Sequence, residues 1–242
     1  MLGAKESGHQ AVSLKEPRGL EVRLASRVCH APVSAGEIGG GLLKVPDHEW
    51  RGRKDTYRFL RGMGEGLLSS VELVADSAQR QFVLKRASDP STDLSQEAEF
   101  LERLREHPGV IHLVDRVETD GQTVGLVLEH LQGYLNVGSD LLSAEGFTGD
   151  LAQLLDLCGQ LCEVLAAAHE EGIEYGDFKP EHLFWNGRQL RVVDWNAARP
   201  LSEEGVASDL YKFGEVLLHL LTGSPIPRLR PLPDISFVRS DP

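Results

Sequence analysis

Cysteine is scarce in this sequence, with three residues, Cys29, Cys158 and Cys162, among 242. So sparse and odd a set makes no disulfide framework, which excludes the small cross-linked secreted class and leads us to expect a reducing compartment. Basic side chains are also in the minority, 25 against 37 acidic ones, for a formal charge of −12. That balance repels phosphate backbones and anionic bilayers, so neither nucleic acid nor a membrane surface is an expected partner. No apolar run approaches a bilayer span, and the amino terminus lacks the basic-then-apolar pattern of a signal peptide. The expectation is a cytoplasmic globular protein with apolar content enough for a core. Cys158 and Cys162, four apart, would share a helix face and could bind a metal, but buried free cysteine in an apolar stripe is the commoner reading.

Residues 1–20 mix Gly, Ser, Lys, Glu and Pro without periodicity and read as a flexible tail. An N-terminal extension over 21–54 holds short apolar stretches, Glu21-Val22-Arg23-Leu24 and Gly41-Leu42-Leu43-Lys44-Val45, that could add a strand or two. From residue 55 the alternation sharpens. Segments 57–61, 70–75 and 81–86 read as an antiparallel meander, and 94–105 as a helix with Asp93 and Gln96 at its amino-terminal cap. Strands at 111–118 and 123–129 follow, joined through Thr119-Asp120-Gly121-Gln122, a strong hairpin signal. Together these form a small lobe over 55–131. After Gly133 the pattern turns helical, with Leu151, Leu154, Leu155, Cys158, Leu161, Cys162 and Leu165 on one stripe that ends at Gly172. Short strands near 183–185 and 190–193 turn at Asn186-Gly187, and a helix over 209–221 takes Ser208 and Gly223 as caps. This second lobe spans 132–227, before a proline-rich irregular tail at 228–242.

Three segments carry residue types that need a partner or a ligand. Gly64-Glu65-Gly66-Leu67-Leu68-Ser69-Ser70-Val71 is a glycine-rich hairpin. Its glycines would let backbone N–H groups approach phosphate oxygens, although a turn alone also accounts for them. Fourteen residues later Lys85 lies inside the apolar strand Val83-Leu84-Lys85, where an ammonium without a counterion is costly. Glu97 on the following helix is its candidate partner. In Tyr175-Gly176-Asp177-Phe178-Lys179-Pro180-Glu181-His182, Asp177 could orient a hydroxyl nucleophile and Lys179 could neutralise a moving phosphoryl group; a solvated charged loop is the plainer alternative. Asp194 ends the apolar run Val192-Val193, where a bound Mg²⁺ would offset the cost of its charge, or where it caps a turn.

In this order and spacing the segments resemble the protein kinase family from Tyr57 to about Pro227. The resemblance implies a two-lobed α+β fold, with an antiparallel-sheet small lobe, a reduced helical large lobe and ATP between them. By the same resemblance Gly64, Gly66, Ser69 and Val71 form the Gly-rich loop, and Lys85 with Glu97 positions the phosphates. Glu129 and Leu131, in Val127-Leu128-Glu129-His130-Leu131, belong to the hinge that meets adenine. Asp177 and Lys179 take the catalytic positions, Asp194 that of the metal-binding aspartate, with His182 as a second candidate metal ligand, and Asp209 that of the residue bracing the catalytic loop. The implied cofactors are ATP with Mg²⁺ or Mn²⁺, and the implied substrate is a protein hydroxyl.

The sequence also departs from the family. Tyr175-Gly176 stands where most kinases carry His-Arg, His182 where the second-metal asparagine is usual, and Asn196 where the glycine of D-F-G is usual. Fifteen positions separate Asp194 from Asp209, with no A-P-E sequence between them, so regulation through a phosphorylated activation loop is not expected. Helices that usually follow the Asp209 helix are not expected, and a partner protein or a dimer could complete the substrate platform. Two other readings stay open: a pseudokinase acting as a nucleotide-binding or scaffolding module, and a small-molecule kinase of the aminoglycoside or choline phosphotransferase type, suggested by the Gly176-Asp177 and Asp194-Trp195 pairs.

Overall fold

A computed structural model describes residues 48–65, 69–89 and 92–225. The expected tails, the stretches at 21–24 and 41–45, and Gly66 of the Gly-rich segment lie outside the described residues.

Six antiparallel strands build the small lobe: β1 (Glu49–Arg51), β2 (Thr56–Glu65), β3 (Ser69–Ala75), β4 (Gln81–Ala87), β5 (Leu113–Thr119) and β6 (Gln122–Glu129), in the order β1-β2-β3-β4-β6-β5. The β5–β6 turn is Asp120-Gly121, and both residues have positive φ, +51° and +82°. That is the I′ geometry demanded by the right-handed twist of a two-residue hairpin, and Asp-Gly is among the few pairs that adopt it cheaply. Tyr57, Val74, Leu84, Val117 and Val127 are buried together within the sheet. The β1–β2 connection is held by Asp115, a buried carboxylate on β5 that accepts from the backbone N–H groups of Arg53, Lys54 and Asp55 and from the Tyr57 hydroxyl of β2.

Helix α1 (Ser95–Arg103) packs Ala98, Phe100 and Leu101 into a second core that continues into the large lobe through Val110, Ile111, Leu161 and Val164. Its start differs from the expected cap. Asp93 accepts from the Ser95 N–H and hydroxyl and from the Thr123 N–H, anchoring the helix to β6, and it makes no reciprocal pair with Gln96.

Between Gly133 and Asp150 the chain is not helical as the sequence led us to expect. It forms β7 (Leu135–Asn136), a five-residue π turn (Val137–Leu141), β8 (Leu142–Ser143) and β9 (Gly146–Phe147). Helix α2 (Leu151–Glu170) then begins at a capping box, in which Asp150 accepts from Gln153 N–H and the Gln153 side chain accepts from Asp150 N–H. Its buried stripe is Leu154, Leu157, Leu161, Val164, Leu165 and Ala168, rotated from the expected one, so Leu151, Leu155 and Cys162 are exposed. By length and composition α2 could cross a membrane, but this stripe serves the core of the large lobe. Burial pushes the half-buried Cys158 thiol up to about 11, and the Cys162 thiol is raised for the same reason. Both thiols are therefore expected to alkylate slowly at pH 7.5, Cys162 ahead of Cys158. Peptide mapping after timed iodoacetamide treatment checks this, and rapid labelling of Cys158 would contradict it.

The remaining strands are β10 (Ile173–Glu174), β11 (Leu183–Trp185), β12 (Leu190–Val192) and β13 (Arg199–Pro200), with pairings β12-β11-β7 and β10-β13. Helix α3 (Glu203–Thr222) starts six residues earlier than the expected 209, capped by the Ser202 side chain on Gly205 N–H and closed by Gly223 at φ +69°. Gly205 lies inside the first turn of α3. A Cβ there would stand 2.3 Å from Oε2 of the buried Glu174, so close packing demands glycine inside the first turn.

Candidate functional site

Strand alternation points Lys85 of β4, paired with Val71 and Leu126 on its neighbours, to the sheet face opposite Leu84 and towards α1. Its side chain is 6% exposed, so the ammonium must find carboxylates inside the protein. Glu97 of α1 supplies one, with Nζ at 2.8 and 2.9 Å from its two oxygens, and Asp194 supplies another at 2.5 Å. Glu97 also accepts from Trp195 N–H at 3.1 Å, which ties α1 to the segment after β12. Burial pushes the Lys85 ammonium down, but the two carboxylates outweigh it and hold the group above its ordinary value. Burial likewise pushes the Asp194 carboxyl up, while hydrogen bonds from His182 and Lys85 hold it well below the usual carboxylate range. Glu97 lies above that range because burial outweighs the Lys85 charge.

Asp194 has φ +61°, a left-handed conformation that aspartate tolerates better than most residues. The turn aims its two oxygens apart, Oδ1 to Lys85 and Oδ2 to His182 Nε2 at 3.1 Å. Val193 beside it is fixed by a bond from its N–H to the His182 carbonyl, and β12 is pinned to the lobe junction by Ile111 N–H on the Val192 carbonyl.

The loop between β10 and β11 carries Asp177, Lys179 and His182. Asp209 of α3, fully buried, accepts from Tyr175 N–H at 3.0 Å, Gly176 N–H at 2.9 Å and His169 Nε2 at 2.9 Å. Lys212 of α3 donates to the Gly176 carbonyl. Gly176 has φ +81°, and a Cβ there would stand 2.9 Å from the Ala197 carbonyl oxygen, so an ordinary side chain does not fit this turn. Tyr175 packs between Phe178, tilted at 49°, and Trp195, edge-to-face at 73°, with ring centroids at 4.4 and 4.7 Å, and its hydroxyl donates to the Val193 carbonyl. Asp177 and Lys179, partly exposed and 3.0 Å apart, remain on the open side of the loop.

A cleft of about 440 Å³ runs between the lobes, walled by Val71, Val83, Leu128, Leu131 and Phe184, with Lys85, His182 and Asp194 at its polar end. Ser69 and Glu129 also line it. The Glu129 carboxylate is engaged by His112 N–H and Arg191. Gly64 is not brought into this cleft. It pairs with Val71 in β2 and borders a larger hollow, about 670 Å³, mostly on the opposite sheet face near Trp50 and Arg86, which lacks the acid–lysine cluster.

Some contributors were not found from the sequence. Tyr175 entered as a departure from histidine, and its hydroxyl bond to Val193 carried no sequence signal; nor did His169 beneath Asp209. Glu174 could have been found by the argument that found Lys85. It is a charge inside an apolar strand, fully buried, and it pairs with Arg199 at 2.5 Å across β10–β13.

Comparison with known proteins matches residues 57–226 to the protein kinase domain. Serine/threonine-protein kinase pkn2 of Myxococcus xanthus is 34% identical over 175 residues, 66% of this chain and 20% of that protein. Calcium-dependent protein kinase 9 of Oryza sativa is 28% identical over 205 residues, 77% of this chain and 34% of that protein. Probable serine/threonine-protein kinase pknA2 of Bifidobacterium longum is 25% identical over 163 residues, 63% of this chain and 21% of that protein. The chain thus spans between a fifth and a third of the length of these curated relatives. With a six-stranded antiparallel lobe set against a helical one and a matching stretch that covers most of its length, the chain belongs to the protein kinase domain family.

Proposed function

We propose that this chain is a cytoplasmic, ATP-dependent phosphotransferase that moves the γ-phosphoryl group to a Ser or Thr hydroxyl of a protein. The observation that carries the reading is the Lys85 ammonium held between Glu97 and Asp194 at the polar end of an otherwise apolar cleft. A volume near 440 Å³ is in the range of small-molecule sites, and its mixed lining suits a flat base at one end and phosphates at the other. Leu131 N–H, at the apolar end, has no acceptor among the described residues and is available to a base edge. The residues present therefore fit a metal-bound nucleotide, which when bound supplies the transferable phosphoryl group.

In this reading Val71, Val83, Leu128 and Leu131 enclose the base. Lys85 fixes the phosphates, Asp194 and His182 hold the metal, and Ser69 borders them from β3. Asp177 orients the acceptor hydroxyl and receives its proton, and Lys179 offsets negative charge near the transferring group. Ser/Thr specificity is taken from two relatives, serine/threonine-protein kinase pkn2 and probable serine/threonine-protein kinase pknA2. Replacing Lys85 with methionine is expected to lower transfer by about 10²–10³-fold, the usual effect of losing one preorganised electrostatic contact. Label transfer from γ-labelled ATP together with nucleotide titration measures it; unchanged affinity and turnover would leave Lys85 a purely structural ion-pair partner.

A second reading, nucleotide binding without turnover, is favoured by His182 in place of an oxygen ligand and by the mere eight residues, 195–202, between Asp194 and α3. Nucleotide-dependent stabilisation with no transfer to any acceptor would select it.

A further inference from the structure

His182 brings an imidazole to the polar end of the cleft, beside the Lys85 ammonium and the Asp194 carboxylate. Its side chain is 8% exposed, and its orientation is fixed from two sides. Nδ1 lies 3.0 Å from the Asp177 carbonyl, which only accepts, so Nδ1 carries the hydrogen. Tyr175 leads to the same assignment: its hydroxyl hydrogen goes to the Val193 carbonyl, so towards Nδ1, at 3.1 Å, it can only accept. The other ring nitrogen, Nε2, is thereby directed at Asp194 Oδ2, 3.1 Å away, and bonds it there. The other oxygen of Asp194 is taken by Lys85. A ring nitrogen and a carboxylate oxygen thus meet at one point of the cleft, and a cation can take the place of the proton they share. Backbone and hydroxyl bonds to the far ring nitrogen are the kind of support that orients metal-ligating histidines.

We propose that His182 makes this cleft favour a divalent transition ion of the Mn²⁺ or Co²⁺ kind over Mg²⁺ as the partner of the nucleotide. The inference rests on the nucleotide reading above and adds the identity of the ion. Mg²⁺ takes oxygen ligands almost to exclusion of nitrogen, whereas imidazole affinity rises along the first transition row. The spacing agrees. Donors 3.1 Å apart subtend about 90° at an ion roughly 2.1–2.2 Å from each, the angle of neighbouring octahedral positions, while a tetrahedral ion such as Zn²⁺ would want them about 3.4 Å apart. Among the described residues no group of three or more His, Cys, Asp or Glu side chains stands ready for a metal. The chain therefore supplies two donors, and phosphate oxygens and water complete the shell, so ion and nucleotide enter together.

The test uses the full chain with a non-hydrolysable ATP analogue. Calorimetric titration is expected to give nucleotide binding about tenfold or more tighter with Mn²⁺ than with Mg²⁺. Pulsed electron paramagnetic resonance of the unaltered Mn²⁺ complex should show the ¹⁴N coupling of a directly bound imidazole. His182→Asn should abolish that coupling and bring the two affinities within about threefold of one another. Equal affinities in the unaltered chain, or a Mn²⁺–nucleotide complex without nitrogen coupling, would overturn the ion preference while leaving the nucleotide reading intact. Absence of nucleotide binding with every ion would overturn both.

Discussion

Replacing Asp177 with alanine is expected to lower phosphoryl transfer by about 10³-fold or more while leaving nucleotide affinity within about twofold of the unaltered chain. The separation follows from position. Asp177 does not line the cleft that would take the base and phosphates, and its carboxylate reaches the open side of the loop, where its partner is Lys179. Its backbone carbonyl, which holds His182 Nδ1, survives the substitution, so the metal-facing nitrogen keeps its orientation. A loss confined to turnover is therefore the signature of a group that acts on the acceptor hydroxyl. Nucleotide titration beside label transfer distinguishes the outcomes. Equal losses in affinity and transfer would mean that Asp177 belongs to the nucleotide site, and unchanged transfer would remove it from the reaction.

The second large effect is expected at Asp209. Its fully buried carboxylate satisfies Tyr175 N–H, Gly176 N–H and His169 at once, from the helix that underlies the catalytic loop. Asp209→Ala leaves two backbone donors and an imidazole without a partner in a dry interior, a loss of about 3–5 kcal/mol. For a domain of this size that corresponds to a fall in unfolding temperature of roughly 10 °C. Asp209→Asn keeps one acceptor oxygen and should lose about half as much, so the pair of variants separates lost packing from lost hydrogen bonds. Differential scanning calorimetry measures both. A change of under about 2 °C in the alanine variant would mean that the loop is held by Lys212 and the Tyr175 ring packing alone.

How much of this was legible in the sequence depended on whether the cause was local. Asp120-Gly121 demands one turn type wherever it occurs, and the hairpin appears at those residues. Lys85 was legible for a different reason. A charge inside an apolar strand requires a counter-charge, and the next helix offered Glu97, which the structure places 2.8 Å away. Where a local signal competed with packing, reading it alone misled. Ser208 reads as a helix cap in the sequence, yet α3 starts at Glu203, where Gly205 lets its first turn pack against Glu174. The apolar stripe of α2 was read with Leu151 and Leu155 inside, and only the position of its neighbours decides that Leu157 and Val164 are buried instead. Gly64 is assigned to the phosphate-covering loop by resemblance; it stands in β2 beside the hollow near Trp50 and Arg86, with Gly66 outside the described residues. His169 beneath Asp209 and the tautomer of His182 could not be read at all, since both are set by partners distant in the chain or by backbone carbonyls.

The account stands most directly on whether this chain transfers phosphate. Purified full-length chain, incubated with γ-labelled ATP and either Mg²⁺ or Mn²⁺ in the presence of a general Ser/Thr protein acceptor, is predicted to place label on protein hydroxyls. Nucleotide-dependent stabilisation with no label on the chain or on the acceptor, under either ion, would contradict the account and leave a nucleotide-binding module of the kinase family.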